Sequence, residues 1–175
     1  MADEQFVGRA AYGLTVGALG LLLGTAGLLA IPAVRERLTT RPASYAAEQH
    51  IDVPASLYES ARATVVLFGR GSCAACQRAK PVLADLAQRL SELGVPLRLA
   101  VNGEDPTGDA AYATSLGLTD QQIVTVNTAS LRLHVVPTIV LVDRQGLIRY
   151  AHEGAPTADD AAALLAMVTM ILLEP

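Results

Sequence analysis

Two cysteines, the only ones in 175 residues, stand as Cys73-Ala74-Ala75-Cys76 between an apolar run and a helical pattern. The run Thr64-Val65-Val66-Leu67-Phe68 is continuously apolar, as a strand covered on both faces must be. Beyond the pair, Val82, Leu83, Leu86, Leu90 and Leu93 fall on one helical stripe, which predicts a helix over 73–93 closed by Gly94. A strand that turns into a helix at a Cys-x-x-Cys is a place for dithiol chemistry. The helix start offers free N–H groups and the positive end of its dipole to a thiolate on Cys73. Cys76 lies within reach to resolve a mixed disulfide. Two rival readings stand beside this one. A structural staple three residues long would constrain the unfolded chain little. A zinc site would need His50, His134 or His152 to complete it, and none has finger-like spacing.

The pattern downstream is regular. Strands are expected at 97–101, 123–126 and 138–142, with a helix at 109–116 and a helical turn near 128–133. Asp143-Arg144-Gln145-Gly146 reads as a hairpin turn into a returning strand at 147–150. A last helix begins at Thr157 or Ala158, with Asp159 and Asp160 complementing its dipole. The order β-α-β-α-β, then hairpin, then α, predicts an α/β fold: a mixed central sheet with helices on both faces. The final helix is apolar nearly all round (Leu164, Leu165, Met167, Val168, Met170, Ile171). Burial against the sheet is its default, and docking on a partner or bilayer is the alternative.

The N-terminal part has another character. After a short polar tail, 1–9, no charged residue occurs between Arg9 and Arg35. Residues 10–34 match the ~20 apolar residues of a transmembrane helix. A hydrophobic content of 51% agrees with such a segment. A cleaved signal peptide is the rival, but its core would be ~7–15 residues after a basic start. Gly13, Gly17, Gly20, Gly24 and Gly27 recur at spacings of 4, 3, 4 and 3, on one stripe. In lipid such a stripe admits a second helix, from another copy or another integral membrane protein. Residues 35–60 read as a tether and 61–175 as the folded domain. Arg35, Arg37 and Arg41 against a single Arg9 would place that domain in the cytoplasm by the positive-inside rule. The net charge of −4 and the lack of a basic patch argue against a nucleic-acid partner.

From about Ala61 to Leu173 the chain resembles the thioredoxin superfamily, and is most similar to its membrane-anchored, TlpA-like (redoxin) thiol–disulfide oxidoreductases. The strand running into Cys73-Ala74-Ala75-Cys76, Pro81 five residues later, Val136-Pro137-Thr138 and the hairpin Val140–Ile148 carry the resemblance. It implies a thioredoxin-like sheet and a redox-active disulfide with no other cofactor and no metal. Cys73 would attack a partner disulfide and Cys76 resolve it. Val136 and a cis Pro137 would hold the substrate chain. Arg70 adds positive potential, Pro81 marks the active-site helix, and His134 is a candidate proton donor or an ordinary strand-edge residue. The resemblance also implies a periplasmic domain on a bacterial inner membrane, against the arginine count. Ser72, Ala74-Ala75 and Ala79 stand where the family usually has Trp, x-Pro and Glu, so the redox potential and direction of electron flow stay open. The expected function is a membrane-tethered thiol–disulfide oxidoreductase acting on protein thiols and disulfides. The alternative is a thioredoxin-like accessory subunit of a membrane complex, bound through its glycine-striped helix.

Overall fold

The computed structural model describes residues 45–174. The tail 1–9, the expected membrane helix 10–34 and its five glycines lie outside them. Among the described residues no helix is long and apolar enough to cross a membrane.

Five strands form one sheet: β1 (Ala63–Phe68), β2 (Leu97–Val101), β3 (Ile123–Thr125), β4 (Thr138–Asp143) and β5 (Ile148–Glu153). Their order is β3-β2-β1-β4-β5. β1 and β2 are parallel, as are β2 and β3, whereas β4 is antiparallel to both β1 and β5. The expected mixed sheet is therefore present, with α1 (Ala74–Glu92), α2 (Pro106–Ser115) and α3 (Ala158–Leu173) between and after the strands.

Local chemistry explains the boundaries. Cys73 is the N-cap of α1, and Leu93 caps its other end, followed by Gly94 at φ +69, a conformation that favours glycine. Asp105 caps α2, with Pro106 at its first position, where a missing N–H costs nothing. Thr157 and Asp160 form a reciprocal capping box at the start of α3. Asp143 Oδ1 accepts the N–H groups of Gln145 and Leu147, which closes the β4–β5 turn.

The two sheet faces are covered differently. Side chains alternate along β1, so Val65 and Leu67 face one way and Val66 and Phe68 the other. Val65, Leu67, Leu99 and Leu141 share a core with buried residues of all three helices, among them Leu83, Leu86, Tyr112, Leu164 and Val168. Val66, Phe68, Val140 and Val142 pack instead with Tyr45, Ile51, Val53 and Leu57. Helices on both faces were expected; the second face is instead closed by the chain 45–57, whose apolar side chains do the work of a helical layer. Its helical content is one 3-10 turn, Ala55–Leu57. Within the expected tether, then, Tyr45, Ile51, Val53 and Leu57 are all buried, and the Tyr45 ring stacks on Phe68 at 5.5 Å.

The register positions the site. Phe68 at the end of β1 lies opposite Ala100 on β2 and Thr138 at the start of β4. The loops 69–72 and 131–137 therefore emerge side by side at one end of the sheet.

Candidate functional site

Cys73 occupies the junction between loop and helix. Its backbone is extended (φ −82, ψ 116), and its Sγ accepts the N–H of Cys76 at 3.2 Å. A sulfur there meets the donors that an α-helix leaves unpaired in its first turn. The same Sγ lies 3.6 Å from the carbonyl oxygen of Val136, to which its thiol donates. Cys73 is partly exposed and Cys76 fully buried, and both are free thiols. Burial first, then the hydrogen bond with Cys73, pushes the Cys76 thiol up to about 12. The two sulfurs are thus unequal: one is accessible at a helix start, the other is sequestered behind it.

The Val136–Pro137 peptide bond is cis, and Pro137 is buried, its carbonyl accepting the N–H of Gly154 at 2.8 Å. Thr138 Oγ1 donates to the Val135 carbonyl at 2.7 Å, fastening the loop to β4. Between this loop and loop 69–72 opens a cleft of about 300 Å³, lined in part by Gly69, Arg70, Asn102, His134 and Val136. Of the residues singled out in the sequence, Arg70, His134 and Val136 therefore share one cleft beside Cys73. Arg70 is half-exposed, with its guanidinium 3.9 Å from Glu104, a separation worth little in water. Pro81 stands elsewhere, exposed on α1 beside Val82, Asp85 and Leu165. Its missing N–H interrupts the α1 hydrogen-bond ladder one turn after Cys76. Among the described residues no group of three or more His, Cys, Asp and Glu is arranged to hold a metal ion.

Two residues of α2 belong to the site and escaped the reading of the sequence. Asp109 is buried, and its Oδ1 accepts the N–H of Gly71 at 2.9 Å. Tyr112 is buried, and its hydroxyl donates to the Cys76 carbonyl at 3.3 Å. The signal was present: Asp109, Tyr112, Ala113 and Leu116 form an i, i+3, i+4, i+7 stripe, so a carboxylate stands on the buried face of a helix.

The thioredoxin-like domain family matches residues 56–169. No curated protein matches the chain. Among solved structures, the thioredoxin domain of a thiol-disulfide oxidoreductase from Bacteroides vulgatus is 14% identical, with TM-score 0.53, over 73% of this chain and 99% of that one. A thiol-disulfide isomerase from Corynebacterium glutamicum is 19% identical, with TM-score 0.51, over 75% and 93%. A thioredoxin family thiol:disulfide interchange protein from Chlorobium tepidum is 18% identical, with TM-score 0.51, over 67% and 83%. At these identities the likeness is one of fold.

Proposed function

The chain belongs to the thioredoxin-like family, and from that premise we propose that it is a thiol–disulfide oxidoreductase working through Cys73 and Cys76. The observation that carries this reading is the division of labour between the sulfurs. Cys73 is reachable and hydrogen-bonded at a helix start, while Cys76 is fully buried one turn behind it.

The reaction follows. The Cys73 thiolate attacks one sulfur of a partner disulfide, forming a mixed disulfide and releasing the partner's other sulfur as thiolate. Cys76 then gives up its proton and attacks Cys73 Sγ, which breaks the mixed disulfide and releases the second partner thiolate. Two electrons pass to the partner, which ends as a dithiol, while Cys73–Cys76 ends as a disulfide. The reverse sequence oxidises a partner. Val136 and Pro137 would align the partner chain beside Cys73, with Arg70 and His134 lining the adjoining cleft.

An insulin-reduction assay with dithiothreitol tests this. Wild type should accelerate turbidity, Cys73→Ser should abolish the acceleration, and Cys76→Ser should accumulate a mixed disulfide with insulin. A Cys73→Ser variant as active as wild type would remove the reading.

The finer reading places this domain on a membrane. Residues 10–34 serve as an uncleaved anchor of TlpA-like kind, and the domain is exported. Labelling of Cys73 by an impermeant maleimide in intact reduced cells is the expected result; protection until lysis would reverse the orientation. A role as accessory subunit is favoured by one surface feature: α3 leaves Met170 60% and Leu173 78% exposed. That reading requires a Cys73→Ser, Cys76→Ser chain that keeps its phenotype and co-purifies with a membrane complex. Loss of the complex in Gly17→Leu, Gly20→Leu would assign the contact to the glycine stripe.

A further inference from the structure

Among the described residues Asp109 is the only fully buried charged side chain, 1% exposed. Burying a carboxylate is costly unless its oxygens are hydrogen-bonded. One of them is: Oδ1 accepts the Gly71 N–H at 2.9 Å. The other, Oδ2, is buried with no hydrogen-bond partner among the described residues. Packing alone does not call for a carboxylate on the apolar face of α2, and the exchange between Cys73, Cys76 and a partner disulfide does not use it.

Its surroundings point to the loop before Cys73. Gly71 is held at both ends of its peptide frame, by Asp109 at the N–H and by Gln77 Nε2 at the carbonyl. The backbones of loop and helix also touch: a Cβ added to Gly71 would lie 2.3 Å from the carbonyl oxygen of Gly108. One turn further along α2, Tyr112 bonds the carbonyl of Cys76. α2 thus grips the active-site segment on both sides of Cys73, and the contact that its carboxylate makes there is the Asp109–Gly71 bond.

We infer that Asp109 is a positioning residue for Cys73: its buried carboxylate fixes loop 69–72 on α2 so that the Cys73 sulfur meets the Cys76 N–H in the dithiol form. This rests on the oxidoreductase reading. In the disulfide form the covalent bond itself holds Cys73 against Cys76. Loosening the loop therefore costs the dithiol more than the disulfide, and the pair becomes easier to oxidise.

The test is the equilibrium of the full-length chain with glutathione, in which the dithiol and oxidised glutathione give the disulfide and two reduced glutathiones. Acid quenching and alkylation read the two forms, and circular dichroism confirms folding. Asp109→Ala should shift the constant toward disulfide by about fivefold to tenfold, the effect of losing an ordinary helix cap. Asp109→Asn keeps an acceptor for Gly71, though a weaker, neutral one, and should shift the constant clearly less than Asp109→Ala does. Gly71→Ala, which wedges loop and helix apart, should shift the constant in the same direction as Asp109→Ala, and it decides the matter with Asp109→Asn if Asp109→Ala does not fold. An unshifted Asp109→Ala, an unshifted Gly71→Ala, or an Asn variant displaced as far as the Ala variant overturns the inference while a cycling wild type leaves the oxidoreductase reading intact. A wild type that forms no reversible disulfide removes both.

Discussion

The two thiols show how one residue type takes two roles from its surroundings. Cys76 is wholly removed from water, and that burial is the largest cause of its rise from 9.0 to about 12. In the unfolded chain the same thiol ionises near its ordinary value. The folded state therefore holds this proton more tightly than the unfolded state does. The resulting contribution to stability is complete below pH 9 and is lost as pH rises from 9 toward 12. One such group costs roughly 1.4 kcal/mol per pH unit within that window. Urea unfolding of the reduced protein at pH 8 and pH 10 measures it. Wild type should lose about 1.4 kcal/mol more than Cys76→Ser over that step. The phenols of Tyr45 and Tyr112, raised chiefly by burial, stay protonated in the folded state up to pH 10 and so weigh alike on both chains over this step, although Cys76 adds a smaller part of the Tyr112 rise. Parallel losses in the two would contradict the assignment of Cys76 as the sequestered sulfur.

At the scale of elements, α1 supports the site by packing rather than by propensity. It carries Cys73 at its cap and anchors its far end through Leu83, Leu86 and Leu90, each 0–1% exposed. Leu86→Ala should cost about 2–5 kcal/mol, because the removed atoms leave a cavity that the sheet cannot fill. Leu93, one heptad further along and 43% exposed, should cost less than about 1 kcal/mol when replaced by Ala. Chemical denaturation of the two variants checks the contrast, and equal losses would mean that α1 is not docked through this stripe. This helix was legible in the sequence because its stripe is periodic and both its ends carry chemical markers, Cys73 and Gly94. The hairpin was legible for the same reason, through Asp143 and Gly146. The contacts of α2 were harder to read. A carboxylate at position 109 shows that the buried face is irregular, but only the fold reveals that Gly71 is what it meets. Likewise Val136-Pro137 announces a special turn, while the approach of its carbonyl to Cys73 depends on β1 and β4 pairing antiparallel.

At the scale of the whole molecule, the least legible feature is the second face of the sheet. Tyr45, Ile51, Val53 and Leu57 are separated by six, two and four residues, which fits neither a helix nor a strand period. The stretch reads as linker until the exposed undersides of Val66, Phe68, Val140 and Val142 demand a cover. Burying four such side chains is worth about 1.5–3 kcal/mol each, or about 6–12 kcal/mol together. The total stability of a domain this size is about 5–15 kcal/mol. The cover is therefore comparable to the whole margin, and we predict that the folding unit begins near residue 45 rather than at 61. Two truncations decide this. A chain of residues 45–175 should unfold cooperatively on heating, with a dispersed amide NMR spectrum. A chain of residues 61–175 keeps both cysteines, all five strands and all three helices, yet should show no cooperative transition and should bind a hydrophobic dye through the uncovered face. A cooperative transition in the shorter chain at the same temperature would show that the segment 45–57 rests on the sheet without holding it together.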